Sequence, residues 1–357
     1  MQFSLFFEMQ VSEPTRAAER QLFHDSAEQA VLADRLGYTR VWAAEHHGLY
    51  EYAHSSAPEI FLAHLSGRTS QIRLGHGVTL TPHRYNHPIR IAERVAALDV
   101  LSEGRVDWGS GKSGSRVEQD AFGNDPAELQ GQWLEAIEMI PRMWQQDVFE
   151  WHSDRYEIPP TQIVPSPVQE PHPPMFAACT NPKTAELAGS LGLGALNFAA
   201  GTGTELAGKV RAYHDKWSAA APEGYHKTRQ YVCTPTALVL EDDRLACEHG
   251  YRGARFFWEA MQQYYGYRDR PVGRLPIGRG DLDAAALTAA MRRRTEPDTP
   301  LTSVIGDPPA ARETVARFAA AGVDELALVM QVGTVPHELV MTSIRLFAEK
   351  VMPDFAG

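Results

Sequence analysis

The chain has 357 residues, with 34 Lys+Arg against 45 Asp+Glu and a formal net charge of −11. That balance excludes a general nucleic-acid binder, which needs a basic face to displace counterions from phosphate. Its 43% hydrophobic and 22% charged residues are ordinary globular values, which exclude a disordered or fibrous chain but leave open two domains or one large α/β barrel.

In chain order, short β-rich runs alternate with segments of helical period. Residues 3–7 read as a first strand. Residues 20–36 carry Leu22, Ala30, Ala33 and Leu36 at helical spacing, and Gly37 follows as a C-cap. A second strand spans 39–44, a helix 58–67, a third strand 72–81, a helix 88–101 and a fourth strand 106–110. A long amphipathic helix over 126–144 leads through a Pro-rich connection to further strands at 175–179, 195–198, 232–240 and 326–330. Eight strands alternating with helices predict a closed (β/α)8 TIM barrel as a single domain over residues 1–357, rather than an open doubly wound sheet. The Gly-, Pro- and Arg-rich stretch 264–302 fits no βα unit and reads as an insertion between strands seven and eight.

Cys179, Cys233 and Cys247 are far apart and form no CxxC pair, which argues against a disulfide scaffold or a Cys-ligated zinc site. No basic leader, cleavage site or bilayer-length apolar run is evident, so a soluble, cytoplasmic protein is expected.

Active sites of barrels lie at the C-terminal ends of the strands. The second strand ends in Glu45-His46-His47, and because neighbouring strand residues point to opposite faces, one histidine is a candidate acid/base and the other a packing residue. Two histidines satisfied in a polar rim are the plainer alternative. A metal site is the competing one, but the first strand ends Phe6-Phe7-Glu8 without a His-x-His and no HExxH occurs, so no metal is expected. The run from Gly109 to Gly114 matches GxGxxG, yet it follows the fourth strand instead of opening a βαβ unit, and Val106 occupies the first glycine position of a Walker A loop. What remains is a Gly/Ser loop with Lys112, Ser113 and Arg116, able to hold an anion or simply to turn at the surface. After the fifth strand, Asn181-Pro182-Lys183-Thr184 opens a helix whose N-terminus also favours an anion, and consecutive barrel strands would let both elements grip one phosphate.

Five stretches, TRVWAAEHH at 39–47, LGHGVTLTPHRYNHP at 74–88, AERVAALDVLSEGRVDWG at 92–109, residues 173–192 and SIRLFAEKVMPDF at 343–355, resemble the bacterial luciferase-like flavin-dependent monooxygenase family and run in its order. The resemblance implies a TIM barrel that binds reduced FMN from a separate flavin reductase and uses molecular oxygen through a flavin C4a-hydroperoxide to oxidise a small organic substrate. It implies His46 as the catalytic base with Glu45 beside it, a non-prolyl cis peptide at Gly77-Val78 beneath the flavin ring, and phosphate contacts from Lys112, Ser113, Asn181 and Thr184. A homodimer is also implied. Departures are Gly111, where luciferase has a reactive cysteine, and Thr180, where luciferase has an acidic residue, so light emission is not implied. A sister group transfers hydride with a deazaflavin coenzyme, and a non-catalytic partner subunit is a further alternative that retention of Glu45-His46 and Lys112 disfavours. The 264–302 insertion is expected to act as a lid, its arginines and Tyr264, Tyr265 and Tyr267 closing over flavin or substrate.

Overall fold

The computed structural model describes residues 1–198, 201–220, 227–266 and 274–355. Twelve strands and eleven α-helices follow one another among them. The first half runs β1 (Gln2–Phe7), α1 (Arg16–Arg35), β2 (Arg40–Ala43), α2 (Pro58–Ser66), β3 (Arg73–Leu80), α3 (Pro88–Leu101), β4 (Val106–Gly111), α4 (Arg116–Ala121) and α5 (Leu129–Gln145). A hairpin of β5 (Phe149–His152) and β6 (Glu157–Thr161) precedes β7 (Met175–Cys179), α6 (Pro182–Ser190), β8 (Gly194–Asn197), α7 (Gly203–Ala219) and β9 (Tyr231–Cys233). The chain closes with β10 (Thr236–Val239), α8 (Asp243–Gly266), α9 (Ala284–Arg293), β11 (Ser303–Gly306), α10 (Pro308–Ala320), β12 (Glu325–Leu328) and α11 (His337–Lys350).

Eight strands close a parallel barrel in the order β1-β2-β3-β4-β7-β8-β9-β12, with β12 returning to β1, as the alternation predicts. Period two sorts each strand between two cores. Phe6, Trp42, Phe176, Leu196, Val232 and Ala327 fill the interior, while Phe3, Leu5, Phe7, Val41, Ala43, Leu74, Val106, Met175 and Leu326 face the helices. At the N-terminal end of the interior, buried Arg40 pairs with Asp107 at 3.1 Å and with Glu325, whose other oxygen accepts from Trp42 Nε1 at 3.0 Å. The floor is thus closed by satisfied charge, and the opposite mouth is where the chain leaves space.

Two predicted elements need correction. The seventh predicted strand, 232–240, is two strands: Thr234 and Pro235 break it, β9 stays in the barrel, and β10 leaves to pair in parallel with β11. Proline lacks the N–H that a continuous ladder needs, which is the physical reason for the break. The β5–β6 hairpin and β11 escaped the sequence because each is short and sits among prolines or beside a Gly-rich stretch. Within 264–302, Tyr264 and Tyr265 end α8 and Ala284–Arg293 is α9, whereas Tyr267 lies outside the described residues. No helix among the described residues is long and apolar enough to cross a membrane.

Candidate active site

A cavity open to solvent sits at the C-terminal mouth of the barrel. All eight candidate residues line it: Glu45 and His46 after β2, Gly77 and Val78 in β3, Lys112 and Ser113 after β4, and Asn181 and Thr184 at the start of α6. Its walls are apolar, from Phe6, Leu80, Trp133, Leu196 and Phe198 among others.

Gly77, Val78 and Gly111 line one side of the cavity. The Gly77-Val78 peptide is cis. A Cβ on Gly111 would lie 2.5 Å from Val78 Cγ2, and one on Gly77 3.0 Å from Phe6 Cε2. Val78 therefore occupies the space that a side chain at 111 would need, which accounts for glycine where luciferase has cysteine.

One end of the cavity gathers donors. β4 and β7 are hydrogen-bonded neighbours, so the Lys112-Ser113 loop and the α6 N-terminus converge on the same end. Lys112 Nζ reaches Gln130, and partial burial lowers the pKa of its ammonium. Asn181 caps α6, its Oδ1 accepting from Thr184 N at 3.1 Å, and so orders the helix start whose remaining donors and dipole favour an anion.

The other end is buried and acidic. His46 and His47 divide as the alternation argument requires. His46 faces the cavity; His47 turns away against Phe122 and Tyr85, with Nε2 3.1 Å from Glu45. His46 Nδ1 lies 3.0 Å from Glu118 Oε1, and Nε2 lies 3.4 Å from Glu8 Oε2. Burial opposes charge on the imidazole, but the Glu118 and Glu8 carboxylates, the hydrogen bond to Glu118 and the nearby Glu45 outweigh it and push its pKa up to about 9. Burial also works against ionised Glu118, yet the His46 cation and hydrogen bonds from His46, Ser113 and His47 N hold its pKa below the usual carboxylate range. Glu45 is engaged elsewhere: Oε2 accepts from Leu80 N at 2.8 Å, and Oε1 from Asn86 at 2.9 Å, tying β2 to the end of β3.

Sequence reasoning did not single out Glu8 or Glu118 as site residues. Tyr52 donates to Glu8 at 2.9 Å, and Tyr265 packs edge-on to His46 and lines the cavity. Glu8 directly follows β1, so inspecting every strand end would have found it; Glu118 lies 72 residues from His46 and carries no local signal. The described arginines of 264–302 do not line the cavity. Arg274 pairs with Glu13, Arg279 with fully buried Glu51 at 2.9 Å, and Arg294 with Asp243 at 2.7 Å. Tyr264 also donates to Glu51, at 3.0 Å. These side chains fasten the segment to the rim, and Tyr265 is its contribution to the wall.

A parallel eight-stranded barrel with donors and an acid/base cluster facing one cavity at its C-terminal mouth defines a (β/α)8 enzyme. The chain belongs to the luciferase-like monooxygenase family, whose model matches residues 1–325. It is 31% identical over 191 residues to the oxygenase component of a flavin-dependent trigonelline monooxygenase from Acinetobacter baylyi, covering 53% of this chain; the chain spans about half (51%) the length of that relative. It is 33% identical over 171 residues to an F420-dependent hydroxymycolic acid dehydrogenase from Mycobacterium tuberculosis, 46% of either chain. The crystal structure of monooxygenase RslO1 from Streptomyces bottropensis superposes with a TM-score of 0.84 at 25% identity, covering 100% of each chain. Relatives are thus named both monooxygenases and dehydrogenases.

Proposed function

We propose that this chain is the oxygenase of a two-component system: reduced FMN, supplied by a separate flavin reductase, and molecular oxygen oxidise a small organic substrate in this cavity. The observation that carries it is the convergence of two unlike ends in one space, an anion-holding end at Lys112, Ser113, Asn181 and Thr184 and a buried proton-holding end at His46. A flavin mononucleotide has that polarity, with a phosphate at one end and a planar ring at the other. Gly77, Val78 and Gly111 line this cavity, and the two glycines keep side chains out of the space a ring would need. The flavin-dependent relative supports the same assignment.

Bound reduced flavin supplies the chemistry of oxygen activation; the protein binds, orients and excludes water. Lys112 and the α6 N-terminus would hold the phosphate. Gly77 and Val78 would be among the residues that hold the ring. His46 carries a proton on Nε2 at neutral pH, so it first stabilises negative charge and donates, and serves as a base only after giving the proton up. Glu118 keeps the imidazole oriented and charged, and Glu45 positions the strand end beneath it. Tyr265 packs against His46, and Glu51 ties Tyr264 at the end of α8 to Arg279. We assign a homodimer and a cytoplasmic location as well; Ile60 on α2 and Leu101 on α3, 68% and 66% exposed, are apolar side chains free for such contact.

The test is anaerobic titration with reduced FMN, and in parallel with the deazaflavin F420, followed by mixing with oxygen. Tight FMN binding and substrate-coupled oxygen use are expected. Preference for F420 with no oxygen use would replace this function with deazaflavin hydride transfer.

A further inference from the structure

Two basic side chains, one at each end of the barrel interior, are held in opposite ways. Arg40 at the N-terminal end is buried between Asp107 and Glu325, so its charge is cancelled within the fold. Lys112 at the mouth meets a carboxamide instead: its Nζ donates to Gln130 Oε1 at 2.5 Å. Burial alone moves the pKa of that ammonium, downward, and no carboxylate pulls the other way. Among the described residues it is the one lysine or arginine that lines the cavity. A half-buried ammonium without a counter-ion favours a ligand that brings one.

The barrel fixes Gln130 in place for this contact. It lines the cavity from the first turn of α5, on the same helix face as Trp133 three residues on. Trp133 Nε1 donates to Ser110 Oγ at 3.0 Å, and Ser110 Oγ donates to Phe176 O at 3.2 Å, so α5 is pinned to β4 two residues before Lys112. An ammonium has no lone pair with which to accept. The amide atom facing Lys112 is therefore the oxygen, and the NH2 group faces away from it. That Nε2 makes no hydrogen bond within the described residues and remains a donor for a ligand.

Resting on the flavin function proposed above, we propose that Gln130 makes this end of the cavity select a phosphate ester: it positions the Lys112 ammonium without neutralising it and offers its own NH2 group to the same anion. A glutamate of the same shape would hold the lysine as well but cancel its charge, and so turn the anion away. The amide in place of an acid is a specificity device.

The test compares wild type, Gln130→Leu and Gln130→Glu by anaerobic titration with reduced FMN and reduced riboflavin, read as the ratio of the two affinities. Wild type is expected to favour FMN about ten- to hundredfold. Gln130→Leu lowers that ratio about three- to tenfold, through loss of the hold and the donor, and Gln130→Glu brings it to about one. Riboflavin affinity and the urea unfolding midpoint stay near wild type in both variants, whereas a merely structural role would move the two flavins together. A ratio unchanged in Gln130→Glu, or a fall matched in riboflavin, overturns the proposal. A wild-type ratio of about one would remove the phosphate assignment itself, and the role of Gln130 with it. If neither flavin binds, the flavin function falls, and inorganic phosphate becomes the probe. The Lys112 ammonium resonance should then shift on phosphate titration in wild type and not in Gln130→Glu, and equal shifts, or none in wild type, overturn the proposal.

Discussion

The two ends of the cavity are built by different means. The anion end is local: a Gly/Ser/Lys loop after one strand and an Asn-Pro helix start after the next, donors drawn largely from backbone and short side chains. The His46 end is assembled from distant sequence: buried Glu8 after β1, half-buried His46 after β2, buried Glu118 on α4 and half-buried Tyr265 on α8. The difference teaches that one end works by fixed donors at the surface of the mouth and the other by desolvated charge, where each carboxylate changes what the others can hold.

That division has separable consequences. The largest is expected from His46→Ala, which removes the proton donor and positive charge: oxidation of bound reduced FMN by oxygen should slow about hundred- to thousandfold in stopped-flow, with FMN affinity little changed. An equal fall in affinity would mean the ends are not separate. Lys112→Ala is expected to do the reverse, weakening FMN about ten- to hundredfold by fluorescence titration, as loss of a charge-assisted contact should, with little effect on the imidazole's titration. Gly111→Cys should fit neither end. Its Cβ meets Val78 at 2.5 Å, so it should destabilise the fold by about 1–3 kcal/mol in urea unfolding and tilt the floor shared by both.

The smallest and most diagnostic change is Glu118→Gln. NMR titration should show the His46 midpoint fall from about 9 toward its ordinary 6.5. The stability sign follows from the raised value: the folded state holds a proton the unfolded state has lost, so His46's contribution is complete below pH 6.5 and disappears as pH rises through about 9. Urea unfolding between those pH values should therefore lose stability with rising pH in wild type, and less steeply in Glu118→Gln.

The same contrast explains what the sequence made legible. Hydrophobic period and strand-helix alternation reveal the barrel, because each element buries one face of its own. Lys112, Ser113, Asn181 and Thr184 are legible because an anion site of backbone donors is encoded within a few residues. His46 is legible by its place at a strand end. Its protonation was not: base or acid depends on Glu8 and Glu118, which only folding brings to it. Arg274, Arg279 and Arg294 mislead for the same reason, since Glu13, Glu51 and Asp243 claim them in the folded chain.

The most direct test of the central claim is an anaerobic titration of wild type and Lys112→Ala with reduced FMN and with reduced riboflavin, which lacks only the phosphate. Wild type is expected to prefer FMN by about ten- to hundredfold, and Lys112→Ala to lose most of that preference while still binding riboflavin as wild type does. Equal affinity of wild type for the two flavins, or a preference untouched in Lys112→Ala, would contradict the assignment of this end of the cavity to a phosphate.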